Sequence, residues 1–352
     1  MSVTLEQIAR KANVSTMTVS NVLNRRYEPT RPHAVRRAAQ IRKLAANLGY
    51  RPNAAARSTR SGTHHAISLV MSEHASRSVL APATLVGLHH GCRDHNLHLV
   101  VSQMADQRLI DEDYVPRILR ESLVDGLLIN YSAGIPPRMI ELINRFSITA
   151  VWMNSQQKAN CIYPDDLAAG RDAARRLLEL SHRRIAYLDY TSSVFTPAMH
   201  YSFVERWEGC RDTLADAGLT VRRVGTVEAL HDKWRVLDEL KAVLSPHNPA
   251  DRPTAVVCYG PREARSAIVA AVTLGLDVPR DLSVIMFAGS EAYDEMGIHI
   301  ATMVLPNEDI GRQAVDLLIQ RIDDPELQLD PIKVPFGFKA EQTLAPAPPA
   351  CT

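Results

Sequence analysis

Near the amino terminus, Thr16, Met17, Ser20 and Asn21 stand at spacings that put them on one face of a helix, as two i, i+4 pairs. That face is short, polar and uncharged. Such side chains suit base edges in a groove and phosphate oxygens beside it. Nothing else in the chain spells out a reaction. There is no glycine-rich phosphate loop, no nucleophile elbow and no HExxH pair. The histidine doublets His64-His65 and His89-His90 lack a third ligand at a useful distance and read as surface residues. Asp165-Asp166 and Asp323-Asp324 read as caps and turns. No catalytic residue, no metal and no cofactor is expected.

The elements that would position the polar face are legible on either side of it. Ser15 is a good N-cap, and Val14 and Val19 have hydrophobic-staple spacing. Val19, Val22 and Leu23 fall on the opposite, inward face. Upstream, Thr4 and Gln7 make a capping-box pattern, Val3 and Ile8 a second staple, and Leu5, Ile8, Ala9 and Ala12 an apolar stripe. Only Ala12-Asn13-Val14 joins the two helices, and Asn13 tolerates the left-handed conformation a tight turn needs. Two short helices so joined cross steeply, as in a helix-turn-helix.

Charge supports the same partner. The chain of 352 residues has a formal charge of +1, but residues 1–62 hold twelve Lys or Arg against two acids, a charge of +10. The remainder carries −9. A basic head on an acidic body fits a polyanion that meets the head alone. The length points to two or three domains. No apolar run approaches the ~18 residues of a membrane span, and the first residues show no signal segment. A cytoplasmic protein with no membrane partner is expected. The five cysteines have neither metal nor redox spacing. Four of them sit in apolar contexts and are expected to be buried.

A third helix is expected from Thr30 or Arg31, with Val35, Ala38, Ile41, Ala45 and Leu48 inward and Gly49 as the stop. Arg36, Arg37, Arg42 and Lys43 are left outward for phosphates. Asn53 to Gly62 reads as a short Ala-rich helix with Arg on one side, too short to persist alone in water. Its expected place is against the DNA minor groove.

From His65 onward, short apolar runs alternate with helical periods. Strands are expected at 66–71, 97–101, 125–130, 150–154, 184–188, 254–259 and 282–287. Helices are expected at 83–95, near 111–121 and 136–145, and at 166–181, 202–217 and 307–323. The fold class is therefore an all-α helix-turn-helix head with a hinge helix, on an α/β body of two doubly wound lobes. A cleft between such lobes lies at the carboxyl ends of the strands, where ligands bind.

The series Val3-Thr4-Leu5, Val14-Ser15, Thr18-Val19-Ser20, Leu23-Asn24 and Leu48-Gly49-Tyr50-Arg51-Pro52-Asn53-Ala54-Ala55-Ala56-Arg57-Ser58 resembles the lactose-repressor (LacI/GalR) family of bacterial transcription regulators. So do Ser181-His182-Arg183-Arg184-Ile185-Ala186, Val278-Pro279-Arg280-Asp281 and Ile310-Gly311-Arg312-Gln313 in the body. The resemblance implies a homodimer on a near-palindromic operator, with a periplasmic-binding-protein-like body and a small sugar, sugar acid or derivative as effector. By resemblance, Thr4, Ser15, Thr18, Ser20 and Asn24 contact phosphate, and Thr16, Met17 and Asn21 read bases. Ala56 and Thr59 enter the minor groove, and Tyr50, Arg51, Asn53 and Arg57 complete the DNA side. In the cleft, Ser202 and Arg206 keep the spacing of the family's serine and ligand-clamping arginine. Leu85 resembles an apolar wall, Asn154 and Tyr163 lie near the lobe crossover, and Tyr259 can stack on a sugar or base face.

The implied boundaries are 1–52 for the head, 53–62 for the hinge and 63–345 for the body. Lobe one takes 63–164 and 305–325, lobe two takes 165–304 and 326–345, and 346–352 is a flexible tail. The chain also departs from the family. Thr59 replaces a wedging leucine, Asn21 a frequent arginine and Asn13 a turn glycine. Tyr259-Gly260-Pro261 and Ala288-Gly289-Ser290 stand where acids that bond sugar hydroxyls are frequent. An anionic or modified sugar, a corepressor and an effector-independent repressor all stay open. An α/β enzyme or a solute receptor with an added basic head is the remote alternative.

Overall fold

The computed structural model describes residues 3–23, 30–51, 58, 62–74, 77–111, 113–190, 199–225, 233–245 (side chains from 237), 251–289 and 297–349. The chain divides into two compact units between His64 and His65.

The first unit contains α1 (Leu5–Ala12), α2 (Thr16–Leu23) and α3 (Pro32–Asn47). The Thr4 hydroxyl accepts from the Gln7 amide at 3.3 Å, and the Gln7 side chain accepts from the Thr4 amide at 3.0 Å, closing a capping box. Asn13 takes the left-handed conformation at φ 50°, and Ser15 caps α2 by accepting from the Thr18 amide at 3.1 Å. Val3 and Val14 pack against the cluster containing Ile8 and Val19. Gly49 (φ 68°) ends α3 with two reversed bonds, from its own amide to Ala46 and from the Tyr50 amide to Ala45, both 2.9 Å. The inward stripe of α3 starts later than expected. Ala38, Ile41 and Ala45 are buried, whereas Val35 is 46% exposed. Two eight-residue helices cannot cover all sixteen residues of α3. Most of the expected hinge helix falls outside the described residues. At its end the Gly62 amide donates to the Ser58 carbonyl at 2.8 Å.

The second unit holds two six-stranded sheets. The first contains β1 (Ala66–Ser72), β2 (His98–Met104), β3 (Gly126–Asn130), β4 (Ala150–Met153), β5 (Cys161–Pro164) and β11 (Ile332–Val334), in the order β11-β5-β4-β3-β1-β2, all parallel. The second contains β6 (Ile185–Leu188), β7 (Arg222–Val224), β8 (Ala255–Cys258), β9 (Ser283–Ala288), β10 (Ala301–Val304) and β12 (Gly337–Lys339), in the order β12-β10-β9-β8-β6-β7. Among the described strands of this sheet, only β12 is antiparallel. The central strands are buried at nearly every residue, so each sheet is covered on both faces.

The covering helices are α4 (Pro82–Asp94), α6 (Pro137–Arg145) and α11 (Asn307–Asp323) for the first lobe. The second lobe has α7 (Asp166–Glu179), α8 (Ser202–Asp216), α9 (Lys233–Leu244) and α10 (Pro261–Thr273). The chain passes between lobes three times, near 165, 305 and 335.

Three expectations are corrected. No full helix forms near 111–121. A 3-10 turn (Asp106–Ile110) and a four-residue α5 (Arg117–Arg120) take its place, because Pro116 drives the residue before it out of the helical region. Residues 332–334 pair with β5, so this part of the expected second lobe belongs to the first. The tail is also held beyond Ala345. His182 contacts the Ala345 carbonyl at 3.0 Å and the Ala347 amide donates to Leu180 at 2.8 Å. Cys92, Cys161, Cys210 and Cys258 are buried free thiols. Among the described residues no helix is long and apolar enough to cross a membrane, and no metal-ligand cluster occurs.

Candidate nucleic-acid interface and ligand cleft

In the head, the inward side of α2 is fixed by Val19 and Val22, which are 0% and 6% exposed. That rotation leaves Thr16 and Met17 outward, Met17 at 68% exposure, with Ser20 and Asn21 half-buried on the same flank. The Ser15 and Thr18 hydroxyls lie 2.9 Å apart at the start of α2. The free amides and positive dipole end of a helix favour an anion there. Thr4, Arg36, Arg37, Arg42, Lys43 and Arg51 are exposed and Tyr50 is half-buried. Asn24, Asn53, Ala56, Arg57 and Thr59 lie outside the described residues.

In the body, the start of α8 gathers most of the expected cleft residues. Ser202 is buried, with its hydroxyl 2.7 Å from both His200 Nδ1 and the Tyr259 hydroxyl. His200 Nε2 lies 3.1 Å from the Asn154 carbonyl. A carbonyl only accepts, so Nε2 carries the proton and Nδ1 accepts. The order of donation is therefore Tyr259 to Ser202, Ser202 to His200, and His200 to Asn154. Burial lowers the His200 pKa, which favours this neutral form. Burial likewise pushes the Tyr259 phenol up to about 12, against lowering by Arg206 and Ser202, so Tyr259 remains a donor.

One turn on, Arg206 is 5% exposed. Its Nε donates to Asp166 Oδ1 at 2.6 Å and its Nη1 to the Tyr259 carbonyl at 3.2 Å. Its guanidinium carbon lies 4.8, 4.9 and 5.6 Å from the ring centres of Tyr259, Phe287 and Phe336. Burial opposes the Arg206 charge, but Asp166, Tyr259 and Tyr187 together outweigh it and raise the pKa overall. The close approach of α7 and α8 makes this pair feasible. A Cβ at Gly170 would collide with the Arg206 carbonyl, and one at Gly209 with the Leu167 carbonyl.

Asn154, at φ 53° after β4, ties the first lobe to this cluster. Besides the His200 bond, its Oδ1 accepts from the Tyr201 hydroxyl at 3.4 Å, and Tyr201 meets Tyr163 edge-on at 5.6 Å. Asn154, Tyr163, Ser202, Arg206 and Tyr259 thus converge. Leu85, half-buried in the first turn of α4, is joined to them by no described contact. Asp166 corrects its reading as a cap. Asp165 caps α7 through the Ala168 amide at 3.2 Å, while Asp166 is fully buried against Arg206. Sequence reasoning also passed over His200, Tyr201 and Phe203, the last stacked on Tyr259 at 4.1 Å. The run of ring-bearing residues around Ser202 was the available signal.

Residues 4–53 match the LacI family of bacterial regulatory proteins, and residues 174–340 match the periplasmic binding protein-like domain. The chain belongs to the LacI family. Its relatives include the HTH-type transcriptional repressor PurR of Vibrio vulnificus, 27% identical over 333 residues, 92% of this chain and 93% of the relative. Another is the ribose operon repressor of Haemophilus influenzae, 26% identical over 325 residues and 92% of each chain. Among solved structures, the lac repressor dimer bound to operator and the anti-inducer ONPF superposes with a TM-score of 0.72, at 21% identity over 97% of this chain and 99% of that one. A cellobiose complex of the transcriptional regulator CelR gives 0.60 at 21% identity, over 97% and 99%. As a LacI-family member the chain is a DNA-binding transcription regulator and not an enzyme.

Proposed function

We propose that the protein is a cytoplasmic repressor that binds a near-palindromic operator as a homodimer and responds to a small sugar-like effector in the cleft. The observation that carries the DNA half is the outward polar face of α2 on a head of charge +10. Thr16, Met17 and Asn21 read base edges, and Thr4, Ser15, Thr18, Ser20 and Asn24 hold phosphates. Ala56 and Thr59 of the hinge meet the minor groove.

Exposed valines support the dimer. Val86 on α4 and Val100 and Val101 on the edge strand β2 are 44, 42 and 55% exposed in the first lobe, and Val269 and Val272 on α10 are 40 and 64% exposed in the second. Apolar groups beside an unpaired sheet edge favour covering by a partner. Two copies related by a two-fold axis match an operator with the same symmetry. For the effector, the cellobiose complex of CelR and the ribose operon repressor favour a sugar or sugar derivative. Ser202, Arg206, Tyr259, Asn154, Tyr163 and Leu85 are its proposed surroundings.

The effector changes the angle between lobes and so the separation of the two hinges, which shifts the heads between registered and unregistered states. One observation favours a second reading, in which the cleft needs no ligand. Ser202, Arg206, Tyr259 and Asn154 already bond within one network.

The test is operator selection from random DNA, followed by fluorescence anisotropy over a salt series and a panel of sugars and sugar acids. Affinity should fall with a slope of about −0.9 per phosphate neutralised, and one panel class should shift it. No sequence preference at any ionic strength would overturn the DNA assignment. Preference without any ligand shift would select the second reading.

A further inference from the structure

The connection from β4 to β5 in the first lobe reaches the start of α8 in the second by three hydrogen bonds. His200 Nε2 donates to the Asn154 carbonyl at 3.1 Å, and the Tyr201 hydroxyl to Asn154 Oδ1 at 3.4 Å. The third is the shortest and involves neither Ser202 nor Tyr259. Gln156 Nε2 donates to Glu205 Oε1 at 2.6 Å. Gln156 is exposed, but the turn that carries it is held from within. The Cys161 thiol donates to the Gln157 carbonyl at 3.3 Å and accepts from the Gln157 amide at 3.4 Å, while Gln157 Nε2 donates to Ser155 Oγ at 3.0 Å.

Glu205, in the first turn of α8, is half-buried, and its two oxygens differ. Oε1 meets Gln156. Oε2 is buried and has no hydrogen-bond partner among the described residues. Closing the lobes over Glu205 therefore gains one charge-assisted bond and forfeits the hydration of the other oxygen. The two effects oppose each other and are of similar size. The contact is poised between forming and parting.

The charged and titratable groups around Glu205 are Asp165 and Asp166 at the start of α7, Lys333 on β11, Tyr163 on β5 and Tyr201 on its own helix. Asp166 is already held by Arg206. Burial is the largest influence on Glu205 and raises its pKa, with Asp166 and Asp165 acting in the same direction and Gln156 and Lys333 against. A proton on Oε2 removes the charge whose hydration was lost, so acid favours the closed contact.

We propose that Gln156 and Glu205 form a clasp between the lobes, in which Glu205 is a positioning residue that sets how readily the lobes part. Its regulatory meaning rests on the reading that the lobe angle carries the effector signal. The clasp itself is a property of the body alone.

The test is amide hydrogen exchange of the full-length protein, without DNA or ligand, read in peptides spanning 154–160 of the first lobe and 200–206 of the second. Gln156→Ala should raise exchange about threefold to tenfold in both peptides, the range for one lost hydrogen bond, with β3 unchanged. Glu205→Ala should do the same, and the double variant should exceed neither single one. Gln156→Lys, which keeps a donor facing the carboxylate, should retain protection. In the parent protein, protection of 154–160, corrected for intrinsic exchange, should be greater at about pH 5 than at about pH 7.5. That difference should shrink in Glu205→Gln, in which His200 still titrates. Faster exchange confined to the mutated lobe overturns the clasp. So do additive effects in the double variant, or a pH dependence that Glu205→Gln leaves unchanged. If these results hold and no effector shifts operator binding, the signalling reading fails and the clasp stands.

Discussion

Arg206 and Asp166 form an ion pair 2.6 Å long at a helix crossing, with side chains only 6% and 0% exposed. The pair joins the start of α7 to the second turn of α8, directly behind the Ser202–Tyr259 contact. Removing one member leaves the other as an uncompensated buried charge.

Arg206→Ala is therefore expected to lower stability by about 3–5 kcal/mol, the usual cost of breaking a buried pair. The Asp166→Asn/Arg206→Met double variant should recover part of that loss. Urea denaturation of the single and double variants measures the coupling directly. Arg206→Ala should also abolish any effector response while operator binding persists, because the head has its own core.

Gly209→Ala tests the crossing itself. Its methyl would collide with the Leu167 carbonyl, and overpacking of this kind costs about 1–3 kcal/mol. A lower thermal midpoint together with a weakened effector response is expected. An unchanged midpoint would mean that α7 and α8 can separate freely.

His182 and His200 make a pH prediction. Burial lowers both pKa values below the ordinary 6.5. A depressed histidine pKa means that the unfolded chain takes up a proton before the folded one does. Their contribution is thus fully present above pH 6.5 and is lost as pH falls below it towards the folded values. Stability to urea should decline on acidification from neutral pH, and His182→Gln should flatten that decline. A profile identical to that of the parent protein would remove His182 from the account.

Met17→Ala and Asn21→Ala should change which operators are preferred, by about 1–3 kcal/mol for a good base contact. Arg36→Ala on α3 should instead weaken all sequences alike and shallow the salt slope. Selection from random DNA, run in parallel on the three variants, separates these outcomes. Equal preference in all of them would refute the assigned reading face.

The head was legible because its instructions are local. The Thr4–Gln7 box, the Asn13 turn, the Ser15 cap and the Gly49 stop each act within a few residues, and each appears in the structure where its pattern lies. The alternation of apolar runs with helical periods likewise announced parallel sheets, since buried strands must be apolar on both faces.

The short strands at 161–164, 222–224, 301–304, 332–334 and 337–339 were not announced, because three or four residues carry too little period to separate from loop. Their pairing across long sequence distances decided the lobe boundaries near 335.

The cleft divides in the same way. The types and spacing of Ser202 and Arg206 are written in the chain. That Asp166 turns from a helix start into the partner of Arg206 is decided forty residues away, where Gly170 and Gly209 let two helices touch. The donation order through His200 depends on the carbonyl of Asn154 in the other lobe. Local sequence sets conformation and capping, whereas the partner of a buried charge is fixed only when distant segments pack.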